Sequence, residues 1–202
     1  MTKIYFVRHA QPVHDWENDS TRPLTDEGIS DSKKVTELLK TAEINCFYSS
    51  PYKRSVDTIL ESSLFYGADI ITDERLRERQ KGAGGNNYSM FQKRWADFSY
   101  CEEGGESLGE VQARNIEAFI KILTNQKDKN IAIGTHGTAL STILNYYNPE
   151  FGCEDFLRII DYMPYIIRLD FNGLKYLGNQ ELLIIEKEFL GKARADKVVA
   201  LK

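Results

Sequence analysis

The sequence predicts a three-layer α/β/α sandwich around a mostly parallel sheet, and three observations carry that expectation. Short runs of β-branched and aromatic residues alternate with longer stretches of helical periodicity, the order that builds strand–helix–strand units. Two of those runs, Ile4–Val7 and Asn130–Gly134, lead directly into Arg8-His9 and Thr135-His136. In open α/β sheets ligands bind outside the carboxyl ends of the strands, so both histidines are expected at one edge of the sheet. Finally, 202 residues suffice for one domain with a substantial core, and no repeat or low-complexity tract divides them.

The elements follow in chain order. Ile4–Val7 is the first strand, and Gln11 to Pro23 is a polar loop with two prolines. Thr25 is placed to cap a helix in which Ile29, Val35, Leu38 and Leu39 form an apolar stripe, ending near Lys40. Asn45–Ser49 is a second strand, after which Ser50-Pro51 turns the chain into a helix carrying Arg54, Val56, Ile59 and Leu60. Ala68–Thr72 is a third strand. Residues 73–106 are charged and glycine-rich, too long for an ordinary connection, and are expected to form a lid insertion with a short helix within 89–98. The aromatics Tyr88, Phe91, Trp95, Phe98 and Tyr100 either line a pocket or form the core of that lid. The near-helical spacing of Phe91, Trp95 and Phe98 favours the core.

Ser107 and Glu110 have the spacing of a capping box at the start of an amphipathic helix that runs to Gln126. Asn130–Gly134 is a strand and Thr138 to Tyr146 a helix; Tyr165–Phe171 and Leu182–Ile185 are further strands. Residues 186–202 form a polar C-terminal tail to a single domain over 1–202.

Hydrophobic residues make up 42% of the chain and charged residues 28%, as in ordinary soluble proteins. The net charge of −4 argues against a nucleic-acid partner, which needs clustered Lys and Arg, yet leaves room for a local basic pocket. Cys46, Cys101 and Cys153 are far apart and odd in number, so neither a disulfide framework nor a zinc site is expected. Reduced thiols, the lack of a signal-peptide pattern and the lack of a run near 18 apolar residues together predict a cytoplasmic protein with no membrane partner.

An Arg beside a His at a strand end suits an anion, although a surface pair would read the same way. Five motifs in order decide it: VRHA at 7–10, SSPYKRSVDT at 49–58, RLRERQKG at 75–82, GGES at 104–107 and THGTA at 135–139. Together they resemble the motifs of the histidine phosphatase superfamily, the phosphoglycerate mutase-like fold, over about residues 3–145. The resemblance implies that His9 is the nucleophile and becomes phosphohistidine. It implies that Arg8 and Arg54 neutralise the phosphoryl group through planar guanidinium donors, with His136 as a further donor.

His136 is followed by Gly137 rather than Asp, which points to the branch whose general acid lies in the central insertion. Glu78 aligns there, with Asp73 and Glu74 as competitors, and would protonate the leaving oxygen and then activate water. Gly137, Arg79 and Gln11 are the expected substrate contacts, although Arg79 also reads as a solvated charge. His14 reads as a solvated loop residue. Two positions depart from the family pattern: Ala10 follows the first histidine in place of Gly, and Asp15 stands where an Asn is usual. Either Asp15 turns away from the phosphate or Asn18 takes over.

The implied activity is metal-independent phosphomonoester hydrolysis of a small phosphorylated metabolite, without cofactor, by a monomer or homodimer. A cofactor-dependent phosphoglycerate mutase is the alternative, disfavoured by the short chain and the few basic residues in its insertion. A catalytically silent phosphate-binding module is the second alternative, disfavoured because all five catalytic positions carry competent residues.

Overall fold

The computed structural model describes residues 1–187. The strands are β1 (Thr2–Arg8), β2 (Cys46–Ser49), β3 (Ile70–Thr72), β4 (Asn130–Thr135), β5 (Tyr162–Asn172) and β6 (Lys175–Glu186). The helices are α1 (Asp26–Lys40), α2 (Lys53–Phe65), α3 (Tyr88–Ala96), α4 (Leu108–Asn125), α5 (Gly137–Tyr147) and α6 (Cys153–Ile159). One six-stranded sheet has the order β3-β2-β4-β1-β5-β6. The first four positions are mutually parallel, and β5 and β6 add an antiparallel hairpin beside β1.

The sheet is covered on both faces, which is why β1 reads as an unbroken apolar run. Ile4 and Phe6 pack with Phe119 and Ile122 of α4 and Leu140 and Ile143 of α5. Tyr5 and Val7 point the other way, to Val35 and Leu39 of α1 and Ile59 of α2. Arg8 and His9, at the end of this doubly buried strand, are held by a frame on either side.

Local chemistry fixes the helix starts. The Thr25 hydroxyl accepts the Gly28 N–H at 2.9 Å, and Asp26 and Glu27 sit in the first turn, where the helix dipole favours negative charge. At α4, Ser107 Oγ accepts the Glu110 N–H at 3.1 Å while Glu110 Oε2 accepts the Ser107 N–H at 2.8 Å, completing the expected capping box. Gly28 is required by contact: a Cβ there would lie 2.2 Å from the Gln11 carbonyl oxygen, so α1 begins directly against the loop that follows β1.

The structure corrects several expectations. Ile29 is 51% exposed; the inward face of α1 runs instead through Gly28, Asp31, Ser32, Val35, Thr36 and Leu39. Asp31 is tolerated there because Lys34 and Lys187 pair with it at 2.9 and 2.7 Å. Leu60 is likewise exposed. Helix α6 has no counterpart in the sequence expectation, and β5 and β6 are longer than expected. Glu186 closes β6 rather than opening a tail, and residues 188–202 of that expected tail lie outside the described residues.

Within the 73–106 segment, α3 packs onto α6: Phe91 and Trp95 meet Phe156, with Ile160 alongside. Phe91 and Trp95 therefore form a small core between the insertion and the main body, and both also line a cavity of about 80 Å³ together with Arg8, Glu78 and Gly137. Among the described residues no helix is long and apolar enough to cross a membrane.

Candidate active site

Parallel pairing of β1 and β4 brings their carboxyl ends into register, Arg8 beside Thr135, and the His9 N–H donates to the Thr135 carbonyl at 3.1 Å. β2 ends at the same edge, where the Ser50 N–H donates to the Gly134 carbonyl at 3.0 Å. Three strand ends and the N-terminus of α5 thus converge. Above them lies a cavity of about 320 Å³ whose wall includes Arg8, His9, Gln11, Arg54, Glu78, Arg79 and Gly137. Of the residues expected from the sequence, only His136 is off that wall; it sits fully buried, its ring steeply inclined to that of His9 with the centroids 5.3 Å apart.

Among the described residues the His9 ring has one nitrogen without a hydrogen-bond partner. Nδ1 lies 2.8 Å from the Ala10 carbonyl, which can only accept, so Nδ1 carries the proton and Nε2 keeps its lone pair. Burial, reinforced by Arg54 and Arg8, holds His9 well below the usual histidine range, and the ring is neutral near pH 7. His136 is depressed by the same causes, burial first and then Arg54. Ala10 itself is fully buried, off the cavity wall, with its N–H given to Thr58 Oγ1 at 2.9 Å.

Arg8 is 4% exposed and donates through Nη1 to the carbonyls of Ile159 and Tyr162, the latter at 3.1 Å. Burial lowers it to about 10, partly opposed by Glu78, and it remains cationic at neutral pH. Its guanidinium lies against Gly137, where a Cβ would come within 3.4 Å of Cζ, Nε and Nη2. Arg54, in the first turn of α2, is anchored by Asp19: Nη1 donates to the backbone carbonyl at 2.6 Å and Nη2 to the carboxylate at 3.2 Å. Burial lowers Arg54, and Asp19 opposes the shift.

Glu78 reaches across from the insertion to the start of α5. Its carboxylate accepts the N–H groups of Thr138 at 3.0 Å, Ala139 at 3.2 Å and Arg79 at 2.8 Å. Helix α5 has no side-chain cap of its own at His136, so Glu78 supplies one from outside. The competitors fare differently. Asp73 is bound to Arg75 and caps a short turn, and Glu74 is exposed within that turn; neither lies on the cavity wall. Arg79 is buried rather than solvated; its Nη1 bonds the Glu106 carbonyl at 2.8 Å and Glu102 at 3.3 Å. Gln11 takes the Thr25 hydroxyl at 3.2 Å.

The expectation about the loop after β1 resolves in an unforeseen way. Asp15 turns fully to solvent beside His14, and Asn18 caps the turn at Asp19–Thr21 instead of reaching the cavity. Asp19 is the carboxylate on the wall, neutralised by Arg54 and by Arg22 at 2.8 Å. Arg22, Lys81, Asn86 and Thr138 also line the cavity and were not expected; His14 joins them at its exposed rim. Five cationic side chains on the wall face two carboxylates, an excess suited to a dianion in a protein of net charge −4. A neutral imidazole with its Nε2 lone pair free, beside guanidinium groups, can attack a phosphoryl group whose charge those guanidinium groups bear.

The sequence pattern of the histidine phosphatase superfamily (branch 1) matches residues 4–173. Phosphoserine phosphatase 1 of Hydrogenobacter thermophilus is 27% identical over 135 residues, 60% of this chain and 64% of that one. A 2,3-bisphosphoglycerate-dependent phosphoglycerate mutase of Methanococcus vannielii is 24% identical over 226 residues, covering 88% of this chain and 95% of that one. Among solved structures, a mycobacterial glucosyl-3-phosphoglycerate phosphatase in complex with inorganic phosphate superposes with a TM-score of 0.70 at 16% identity, over 92% of this chain and 97% of that one. With a family pattern matched from β1 through β5, and Arg8, His9, Arg54 and His136 gathered at one sheet edge, the chain belongs to branch 1 of the histidine phosphatase superfamily.

Proposed function

We propose that the chain is a phosphomonoester hydrolase that passes the phosphoryl group of a small phosphorylated metabolite to His9 and then to water, without metal or organic cofactor. The observation that carries this reading is the commitment of His9 Nδ1–H to the Ala10 carbonyl, which leaves an unprotonated Nε2 beside buried guanidinium groups. In the first step the Nε2 lone pair forms the N–P bond as the ester P–O bond breaks. The leaving alkoxide takes a proton from the Glu78 carboxyl group. In the second step the Glu78 carboxylate takes a proton from water, whose oxygen attacks phosphorus and releases inorganic phosphate and free His9. Arg8, Arg54 and His136 bear the charge on the non-bridging oxygens, and Gly137, Arg79 and Gln11 contact the substrate.

Similarity to a phosphoserine phosphatase and to a glucosyl-3-phosphoglycerate phosphatase supports a hydrolase acting on a phosphorylated metabolite. Cys46, Cys101 and Cys153 are free thiols, which supports a reducing, cytoplasmic setting.

An aryl phosphate assay tests the proposal. Hydrolysis should persist in a metal chelator and vanish in His9→Ala. Equal inactivity of wild type and His9→Ala across a panel of phosphomonoesters would favour a binding module. Phosphoglycerate isomerisation that outpaces hydrolysis when bisphosphate is added would favour a mutase instead.

A further inference from the structure

Ser50 lies outside every role assigned above, yet it makes the one hydrogen bond that the His136 ring has among the described residues. Its Oγ is 2.7 Å from His136 Nε2, and both residues are completely buried. The same Oγ accepts the Tyr52 backbone N–H at 3.2 Å. The other ring nitrogen, Nδ1, is buried without a partner among the described residues. Because the ring is neutral it carries one proton, on one nitrogen or the other.

Hydrogen-bond accounting separates the two tautomers. If Nε2 held the proton, it would donate to Ser50. The Ser50 hydroxyl proton would then have no acceptor among the described residues, and the Nδ1 lone pair would be stranded as well. If Nδ1 holds the proton, Ser50 accepts from Tyr52 and donates to Nε2, and only Nδ1–H is left unsatisfied. A buried unsatisfied group is costly, so the arrangement with one is preferred to that with two. The remaining donor belongs to a ring whose centroid lies 5.3 Å from that of His9.

We propose that Ser50 is a positioning residue: by donating to Nε2 it holds neutral His136 in the Nδ1–H tautomer, and so supplies the transferring phosphoryl group with a donor that needs no second proton. The catalytic half of this inference rests on the hydrolase reading; the tautomer itself does not.

The test has a spectroscopic arm and a kinetic arm. In protein labelled with ¹⁵N-histidine, His136 should show a protonated Nδ1 and an unprotonated Nε2, the assignment made with His136→Asn. Added inorganic phosphate should shift Nδ1 more than Nε2. Ser50→Ala should move the pair toward the Nε2–H form, and Ser50→Thr should restore it. With an aryl phosphate, Ser50→Ala should lower kcat by about 10-fold with KM nearly unchanged, less than the 10²–10³ expected for losing a transition-state donor outright. It should have no further effect in the His136→Asn background. An Nε2–H tautomer in wild type, or an equal loss in both backgrounds, overturns the proposal. If wild type hydrolyses nothing, the hydrolase reading falls, while the resonances and the phosphate shift still decide the role of Ser50.

Discussion

Replacing Glu102 with Ala should be among the most damaging single changes outside the cavity wall. Glu102 is 7% exposed and is shared by two arginines that are themselves buried, Arg79 at 5% and Arg94 at 2%. Arg94 Nε donates to Glu102 Oε1 at 2.7 Å, its Nη2 donates to the same oxygen, and Arg79 Nη1 reaches Oε2 at 3.3 Å. Arg79 is already lowered by burial and then by Arg94, a sign that the two cations repel each other across the carboxylate. Removing one partner of a buried ion pair costs about 3–5 kcal/mol, because the charge left behind is uncompensated. Backbone carbonyls of Glu106 and Gly85 still serve the two guanidinium groups, which places the loss near the lower end, at about 3 kcal/mol.

At about 2–4 °C per kcal/mol for a domain of this size, Tm should fall by about 6–12 °C. Glu102→Gln, which keeps an acceptor oxygen but not the charge, should cost less. Glu103→Ala, at the exposed neighbour, should stay within about 0.5 kcal/mol. Thermal and denaturant unfolding of the three variants supply the comparison. If Glu102→Ala costs under about 1 kcal/mol, the reasoning that buried charge demands its partner here is wrong. The same variant should raise KM, because Arg94 also holds Gly85 and Asn86 on the cavity wall.

Three further outcomes follow from the geometry. His9 and His136 are buried and neutral, so below about pH 6.5 the unfolded chain binds protons that the folded one refuses. Stability should therefore fall with pH, by up to about 1.4 kcal/mol per pH unit for each histidine, and His136→Asn should flatten the slope of denaturation midpoints between pH 7 and 5. Arg54→Ala should lower kcat for an aryl phosphate by about 10²–10³, and a loss under tenfold would remove Arg54 from the charge-bearing set. Gly28→Ala, a change that helps most helices, should instead destabilise by about 1–3 kcal/mol in thermal unfolding, because its methyl meets the Gln11 carbonyl.

What the sequence announces and what it hides have physical reasons. Thr25, Ser107 and Glu110 mark α1 and α4 because capping is chemistry between near neighbours. Arg8 and His9 are legible because a doubly covered strand ends on them. Helix α6 is not, since its seven residues offer no sustained period and its Phe156 gains meaning only against Phe91 and Trp95. β6 is obscured by Gly178, Asn179 and Gln180, polar or small residues on an outer strand. Asp19 and Arg22 reach the cavity only because the loop folds back, closed by the Val13 N–H to Pro23 carbonyl bond at 2.9 Å. Ser50 reads as a turn residue until β2 and β4 end side by side.

The anchoring of Glu78 divides the molecule's labour. Its carboxylate is carried by the insertion, yet two of its three backbone partners belong to α5, the helix that rises directly from β4. The group proposed to handle the proton is thus registered to the sheet rather than to the segment that delivers it. Residues farther along that segment, such as Lys81, Gly85 and Asn86, contribute to the wall without helping to hold this carboxylate. Substrate preference can then be rewritten in the insertion by mutation while the chemistry beneath it stays in place, a separation that lets one scaffold diversify without rebuilding its reaction centre.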